Sequence, residues 1–165
     1  MSAQEHGPDN IELTKINLSS LLEDLCRAVS KQSADKKRIK IKINSDLPGY
    51  VMGNQTALEQ MISNLLTNAV KYSPAGSVVD ASVFTGSDKV ILSVEDKGIG
   101  IPRQDIPYIF NPFFRSNDKT AREEAGAGLG LAIVMSVVKK HKAKISVKSI
   151  LQKGTSILIH FPSAQ

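Results

Sequence analysis

One cysteine, no tryptophan and an aromatic content of 5% are what this 165-residue chain has little of, and each shortage excludes something. A lone thiol, Cys26, cannot close an internal disulfide, so a disulfide scaffold is excluded and a reducing, cytoplasmic compartment is expected. Cys26 lies among apolar residues of a helical stripe, where a thiol packs rather than reacts. No apolar run approaches the ~18 residues that a membrane span needs. The start, Met1-Ser2-Ala3-Gln4-Glu5-His6, lacks the charged and apolar regions of a signal peptide. Acidic charge is in deficit: the net charge is +5. The excess sits at Lys36-Lys37-Arg38-Ile39-Lys40-Ile41-Lys42 and Lys139-Lys140-His141-Lys142-Ala143-Lys144. Such runs ordinarily form solvated faces. Without aromatic side chains among them they offer no stacking platform, so no nucleic acid is expected as a partner. The surplus still attracts polyanions.

What remains is a soluble, globular composition with 41% hydrophobic and 22% charged residues, enough for one domain with its own core. Residues 1–10 are polar, carry Gly7-Pro8 and read as a linker remnant; the domain occupies 11–165. Ile11, Leu13 and Ile16 suggest a short strand. Ser20 with Glu23 reads as a capping box for a helix carrying Leu21, Leu22, Leu25, Ala28 and Val29. A strand with one wet face is predicted at about 38–44. A turn at Leu47-Pro48-Gly49 follows, then Asn54 as N-cap of a long helix that must end near Ser73-Pro74. Two strands are predicted over 78–84 and 90–94, and a short helix at 104–110 that Pro107 disturbs. A glycine-bearing loop over 116–128, a helix from Gly130 to about Lys140, and strands at 145–149 and 157–161 complete the pattern. That order fits an α/β (α+β) two-layer sandwich: a mixed sheet with about three helices on one face.

Four segments carry chemistry. In Leu58-Glu59-Gln60-Met61-Ile62-Ser63-Asn64-Leu65-Leu66-Thr67-Asn68-Ala69-Val70-Lys71-Tyr72, helical geometry puts Leu58, Met61, Ile62, Leu65 and Ala69 on one side. Gln60, Asn64, Asn68 and Lys71 fall on another, within an arc of roughly 80°. An amide oxygen there suits a hard cation such as Mg²⁺, and a lysine suits phosphate. A single asparagine on a helix ordinarily faces water; four polar groups in line do not fit that account. Next, Asp96-Lys97-Gly98-Ile99-Gly100 follows an apolar strand. Its carboxylate can accept an exocyclic amine, and its glycines let backbone approach a ring. Alone, it is equally an ordinary turn. Third, Gly126-Ala127-Gly128-Leu129-Gly130-Leu131 opens a helix, where freed amides suit phosphate. No Lys-Ser or Lys-Thr pair follows, so this is not a P-loop, and its place in the chain is wrong for a dinucleotide fingerprint. Last comes Lys153-Gly154-Thr155.

In this order the segments resemble the N, G1, G2 and G3 boxes of the GHKL ATPase superfamily. Phe110-Asn111-Pro112-Phe113-Phe114-Arg115 resembles the F box of sensor histidine kinases. With 11–29 as the opening segment, the resemblance covers nearly the whole chain. It implies the catalytic and ATP-binding domain of a two-component histidine kinase with the Bergerat sandwich. It further implies that Asn64 holds Mg²⁺ with Asn68 in support, that Lys71 and Tyr72 lie near the phosphates, and that Asp96 reads adenine. Gly98, Gly100, Ile101, Phe110, Gly126, Gly128, Leu129, Gly130, Leu131 and Thr155 are the further expected nucleotide contacts. Residues 116–128 would be the ATP lid, anchored by Phe110, Phe113 and Phe114, and Arg115 would approach the γ-phosphate. ATP and Mg²⁺ are the expected cofactors. The expected partners are the parent's own dimerisation and phosphoacceptor domain and, through it, a response regulator. The isolated chain is expected to be monomeric and cytoplasmic, either as a free protein or as the cytoplasmic part of a membrane-anchored sensor.

Three departures shape the functional expectation. Superfamily members that hydrolyse ATP carry a Glu four residues before the metal-binding Asn; here Gln60 stands there and cannot serve as a base. That favours transfer to a histidine over attack by water. Histidine kinases have His-Gly-Gly after the G2 helix; here it is His141-Lys142-Ala143. Finally, none of His6, His141 and His160 sits in a phosphoacceptor context, so the histidine that takes the phosphoryl lies on another domain. The rival readings are a nucleotide sensor without kinase activity, to which Lys142-Ala143 gives weight, and a serine kinase of the anti-sigma type, against which the F box argues.

Overall fold

The structure, a computed structural model, describes residues 12–34, 36, 40–45, 47–114 and 130–164. Seven strands and three α-helices are present among them. Strands β1 (Thr14–Asn17), β2 (Lys40–Asn44), β3 (Tyr50–Gly53), β4 (Val78–Thr85), β5 (Lys89–Asp96), β6 (Lys144–Ile150) and β7 (Gly154–Pro162) alternate with helices α1 (Leu18–Val29), α2 (Gln55–Tyr72) and α3 (Gly130–Lys140). Five strands form a mixed sheet in the order β2-β4-β5-β7-β6. Only β2 and β4 run parallel; the other neighbours are antiparallel. The helices cover one face, as the expected two-layer sandwich requires, and the core lies between the layers.

Strand alternation makes that core. Val79, Ala81 and Val83 on β4, Val90, Leu92 and Val94 on β5, and Ile159 and Phe161 on β7 all point to the helices and are buried. Helix α2 answers with Leu58, Met61, Ile62, Leu65 and Ala69, the predicted face, but Leu66 and Val70 are buried too. The apolar arc is wider than the sequence suggested because α2 is the central helix, packed on both α1 and α3 as well as on the sheet. Each large side chain fully buried this way contributes roughly 1.5–3 kcal/mol. Cys26 is in this core, its thiol pushed up to about 12 by burial first and by nearby Glu23 second. It is a packing residue, not a nucleophile.

Three local predictions are corrected. The N-cap of α1 is Asn17, whose side chain accepts from Ser19 N at 3.1 Å and Ser20 N at 3.3 Å. Ser20 is therefore inside the first turn and makes no capping box with Glu23. The preceding strand fixed the cap: β1 ends where Asn17 turns. Second, β3, between the expected turn at Leu47-Pro48-Gly49 and the Asn54 cap, has no counterpart among the expected strands. It pairs antiparallel with β1 as a separate two-stranded ribbon, with Ile16 facing Val51 across it. Four residues are too short for an alternation to declare itself. Third, only Ile106–Tyr108 form a helical turn in the 104–110 stretch, and it is 3₁₀, with Pro107 inside it.

Candidate nucleotide site

The site begins with how three strands end. Along β5 the helix-facing positions read Val90, Leu92, Val94, Asp96; along β7, from its far end, Phe161, Ile159, Ile157, Thr155; along β6, Ile145, Val147, Ser149. All three switch from apolar to polar at the same level, because Asp96 pairs with Thr155 and Thr155 with Ser149. A polar row Asp96–Thr155–Ser149 therefore closes the apolar layer at one end of the sheet. Thr155 Oγ1 and Ser149 Oγ are 2.8 Å apart.

Beyond β5 the chain folds over this row. Asp96 Oδ1 accepts the N–H of Gly98 at 2.8 Å, an Asx turn that sets the loop's first bend. A Cβ on Gly98 would run into Tyr72 O and lie 2.9 Å from Asp96 Oδ1, so the end of α2 and the loop touch backbone to backbone. Ile99 N donates to Tyr72 O at 3.3 Å, and Gln152 N to Ile99 O at 2.6 Å. Gly100 has φ +72 and backs onto Ile150 O. Ile101 N donates to Ser149 Oγ at 2.7 Å. The loop is thus clasped between α2 and the β6–β7 turn. Burial raises the Asp96 carboxyl above its ordinary range, against the lowering effect of the Gly98 and Thr155 amides, with Glu95 adding a smaller raise. The group is desolvated and fixed, which suits reading a neutral hydrogen-bond donor.

Along α2 the other polar groups follow. Gly130, the first residue of α3, lies against Asn68 and Asn64: a Cβ there would be 3.6 Å from Asn68 Nδ2 and 4.0 Å from Asn64 Cγ. Asn64 Nδ2 is buried with no hydrogen-bond partner. A buried orphan amide is costly, and turning the group by half exchanges its N–H₂ and its oxygen. It can therefore meet a phosphate oxygen or a cation. At the end of the helix, Lys71 Nζ sits 5.1 Å from the centre of the Tyr72 ring. Lys71, Tyr72, Ser73, Pro74, Lys97, Gly98, Ile99 and Gln152 line a cavity of about 310 Å³. Gln60, one turn before Asn64, is exposed, and Glu59 accepts from Gln55 Nε2 at 3.1 Å.

Some of the predicted residues meet along α2. Asn64 and Asn68 face Gly130; Tyr72 faces Gly98; Asp96 and Thr155 are register partners. Ile101 and Phe110 are half-buried, and Leu131 packs against the core. Arg115, Gly126, Gly128, Leu129 and the predicted lid over 116–128 lie outside the described residues. Of the predicted anchors, Phe113 is 71% exposed with φ 63, so it anchors nothing to the core; Phe114 packs on the Tyr108 ring, their centres 6.2 Å apart. Ser149 was missed. Its signal was the third break in the alternation, Ile145-Val147-Ser149, at the level of the other two.

The missing Gly-Gly is also accounted for. Lys142 itself adopts φ 52. Its N–H donates to Lys139 O at 3.2 Å and that of Ala143 to Val138 O at 3.0 Å, the paired bonds of a Schellman motif. The turn is made by a lysine at a modest conformational cost, so the departure does not disturb the fold.

A glycine-clasped carboxylate at a strand end, beside a helix bearing inward amides, defines an α/β nucleotide-binding domain. The sequence profile of the histidine kinase-, DNA gyrase B- and HSP90-like ATPases matches residues 53–165, and the chain belongs to that family. It is similar to the sensor histidine kinase RppB of Synechocystis sp., 38% identical over 125 residues, covering 74% of this chain and 28% of that protein. It is also similar to the sensor-like histidine kinase SenX3 of Mycobacterium tuberculosis, 32% identical over 153 residues, covering 92% of this chain and 37% of that protein. The chain thus spans well under half the length of these relatives. Among solved structures, a mycobacterial sensor histidine kinase MprB superposes with a TM-score of 0.80 at 29% identity, covering 92% of this chain and 97% of that one. Full-length ShkA in complex with AMPPNP superposes with a TM-score of 0.81 at 26% identity, covering 94% of this chain and 32% of that one. Among the described residues no helix is long and apolar enough to cross a membrane.

Proposed function

We propose that residues 11–165 form one module that binds ATP with Mg²⁺ and donates the γ-phosphoryl to a histidine on a separate dimerisation and phosphoacceptor domain. The observation that carries this reading is the polar line along α2: Asn64 and Asn68 opposite the start of α3, then Tyr72 against the Asp96–Gly98 turn. A base at Asp96 and phosphates at Asn64 and Gly130 would span that line. The similarity to sensor histidine kinases supports the reaction class. Ligand-bound ShkA, of the same fold, supports a nucleotide of this kind.

In this reading Asp96 accepts the adenine amine, while Gly98 and Gly100 keep the ring's approach open. Asn64 would hold Mg²⁺, with Asn68 in support. The nucleotide's phosphates and water would supply the cation's other oxygen donors. When bound there, Mg²⁺ would supply charge neutralisation at the phosphates. Lys71 leaves the Tyr72 ring to meet phosphate, and Arg115 acts at the γ-phosphate. The exposed amide of Gln60 gives water no base. Catalysis is then positioning and charge neutralisation, which is what phosphoryl transfer asks of a protein. The acceptor domain passes the phosphoryl to a response regulator. Incubating the chain with labelled ATP and the parent's phosphoacceptor domain tests this. The expected product is acid-labile, base-stable label on the acceptor. Label that never leaves ATP would refute the kinase reading.

A further inference from the structure

We propose that Ser149 is the positioning residue of the base-reading loop and thereby sets discrimination for adenine. The proposal rests on the reading of Asp96 given above. Ser149 stands in β6, 48 residues from Ile101 in the chain, yet its Oγ accepts the Ile101 N–H at 2.7 Å. The same oxygen lies 3.1 Å from Gly154 O and 2.8 Å from Thr155 Oγ1. With one proton and two lone pairs, the hydroxyl is fully used: it accepts from Ile101 N, donates to Gly154 O and accepts from Thr155 Oγ1.

The consequence follows from where the loop is held. Its start is fixed by the Asp96–Gly98 turn and by Ile99 on Tyr72. Its middle is fixed by Gln152 N on Ile99 O. Its exit, at Ile101, is held by the Ser149 hydroxyl. Backbone bonds cannot easily be lost, but this one depends on a single oxygen. Without it the Ile101 N–H is stranded and the exit is free to lift. Gly100, at φ +72, is the flexible joint that would carry the movement toward Asp96. Through Thr155, the register partner of Asp96, Ser149 also touches the floor under the carboxylate. Ser149 contacts no part of the nucleotide in this account; it acts through the loop.

The test measures binding of ATP and of inosine triphosphate, which lacks the exocyclic amine, to the 165-residue chain by calorimetry below its melting temperature. Ser149→Ala is expected to weaken ATP by about 5- to 30-fold, the range for stranding one amide. It should weaken inosine triphosphate less, so the ratio between the two falls. Ser149→Thr, which restores the hydroxyl, should recover the wild-type ratio. Should alanine unfold this end of the sheet, Ser149→Cys keeps the volume with a poor acceptor and gives the same readout. Equal weakening of both nucleotides, or no weakening, would overturn the proposal and leave Ser149 a purely structural residue. Asp96→Asn run in parallel separates the two levels. A ratio changed by Asp96→Asn but not by Ser149→Ala overturns the role of Ser149 alone. A ratio unchanged in Asp96→Asn overturns the adenine reading, and the Ser149 proposal with it.

Discussion

His141 Nε2 accepts the backbone N–H of Asn54 at 3.0 Å, joining the end of α3 to the start of α2 across 87 residues of sequence. The other ring nitrogen, Nδ1, donates to Val137 O at 2.7 Å, which fixes the neutral tautomer with its proton on Nδ1. The ring is 5% exposed and stands edge-on to Phe161. Since Gly130 lies against Asn68 and Asn64 at the other end, α3 runs antiparallel to α2, and the histidine pins the end remote from the proposed phosphates. Gly53 leaves the ring its space: a Cβ there would stand 3.2 Å from His141 Cδ2.

Replacing this histidine should therefore cost stability. His141→Ala strands the Asn54 N–H, worth about 1–3 kcal/mol, and opens a cavity beside Phe161. Urea unfolding should show a loss of about 2–4 kcal/mol by those terms together. A loss below about 0.5 kcal/mol, the range of neutral surface changes, would show that the bond is not needed.

How much of this was legible in the sequence depended on the length scale. The long α2 and the strands β4, β5 and β7 announced themselves because burial on one face imposes a period, and the period ran long enough to be seen. The caps behaved unevenly. Asn54 caps α2 as expected, its side chain accepting from Ala57 N at 3.0 Å. Asn17 was hidden because Ser20 and Glu23 imitate a box, and only the end of β1 decides between them. Of the candidate site residues, Asn64, Asn68 and Asp96 stood out as types in a pattern, while Tyr72 entered through the family resemblance. Ser149 left only a break in the alternation of its strand and the bond of His141 left no trace, because their partners lie 48 and 87 positions away, supplied by sheet register and helix packing.

Asp96 should trade stability for binding. Its carboxyl is raised by burial, so the folded state holds the proton more tightly than the unfolded chain. Its contribution to stability is fully present below the unfolded value and is lost as pH rises through the folded one. Above the unfolded value the carboxyl therefore opposes folding. Asp96→Asn should raise the melting temperature of the nucleotide-free chain at pH 7, and the difference should shrink toward low pH. The same change should weaken ATP by roughly 5- to 150-fold, because an amide mispairs with the adenine amine. GTP, lacking that amine, should bind poorly to the wild type. Thermal scans across pH and calorimetry check both halves; equal affinities for ATP and GTP would remove adenine from Asp96.

Asn64 should behave in the opposite way to an ordinary buried amide. Its Nδ2 is already without a partner, so Asn64→Ala strands nothing and the fold should keep its stability to within about 1 kcal/mol. What should fall is the Mg²⁺ dependence of nucleotide binding. Titrating Mg²⁺ at fixed nucleotide, with and without the substitution, reads this directly. An unaltered dependence would place the cation elsewhere.

Hydrolysis by the isolated chain should be slow, and the reason is local. The position one turn before Asn64 is held by Gln60, whose amide cannot take a proton from water at neutral pH. Glu59 is no substitute: it lies about 100° around the helix and is engaged by Gln55. Gln60→Glu would put a carboxylate on the same face as Asn64. General-base catalysis is worth roughly 10²- to 10⁴-fold when the base is well placed and its pKa is matched to the task. Gln60 is exposed, so a glutamate there would keep an ordinary acidity and sit loosely. The expected gain is therefore at or below the low end of that range. A phosphate-release assay on the two proteins, with the melting temperature as a folding control, measures it. Brisk turnover by the wild type would mean that water is activated without a base at position 60, and transfer to a histidine would lose its main support from this helix.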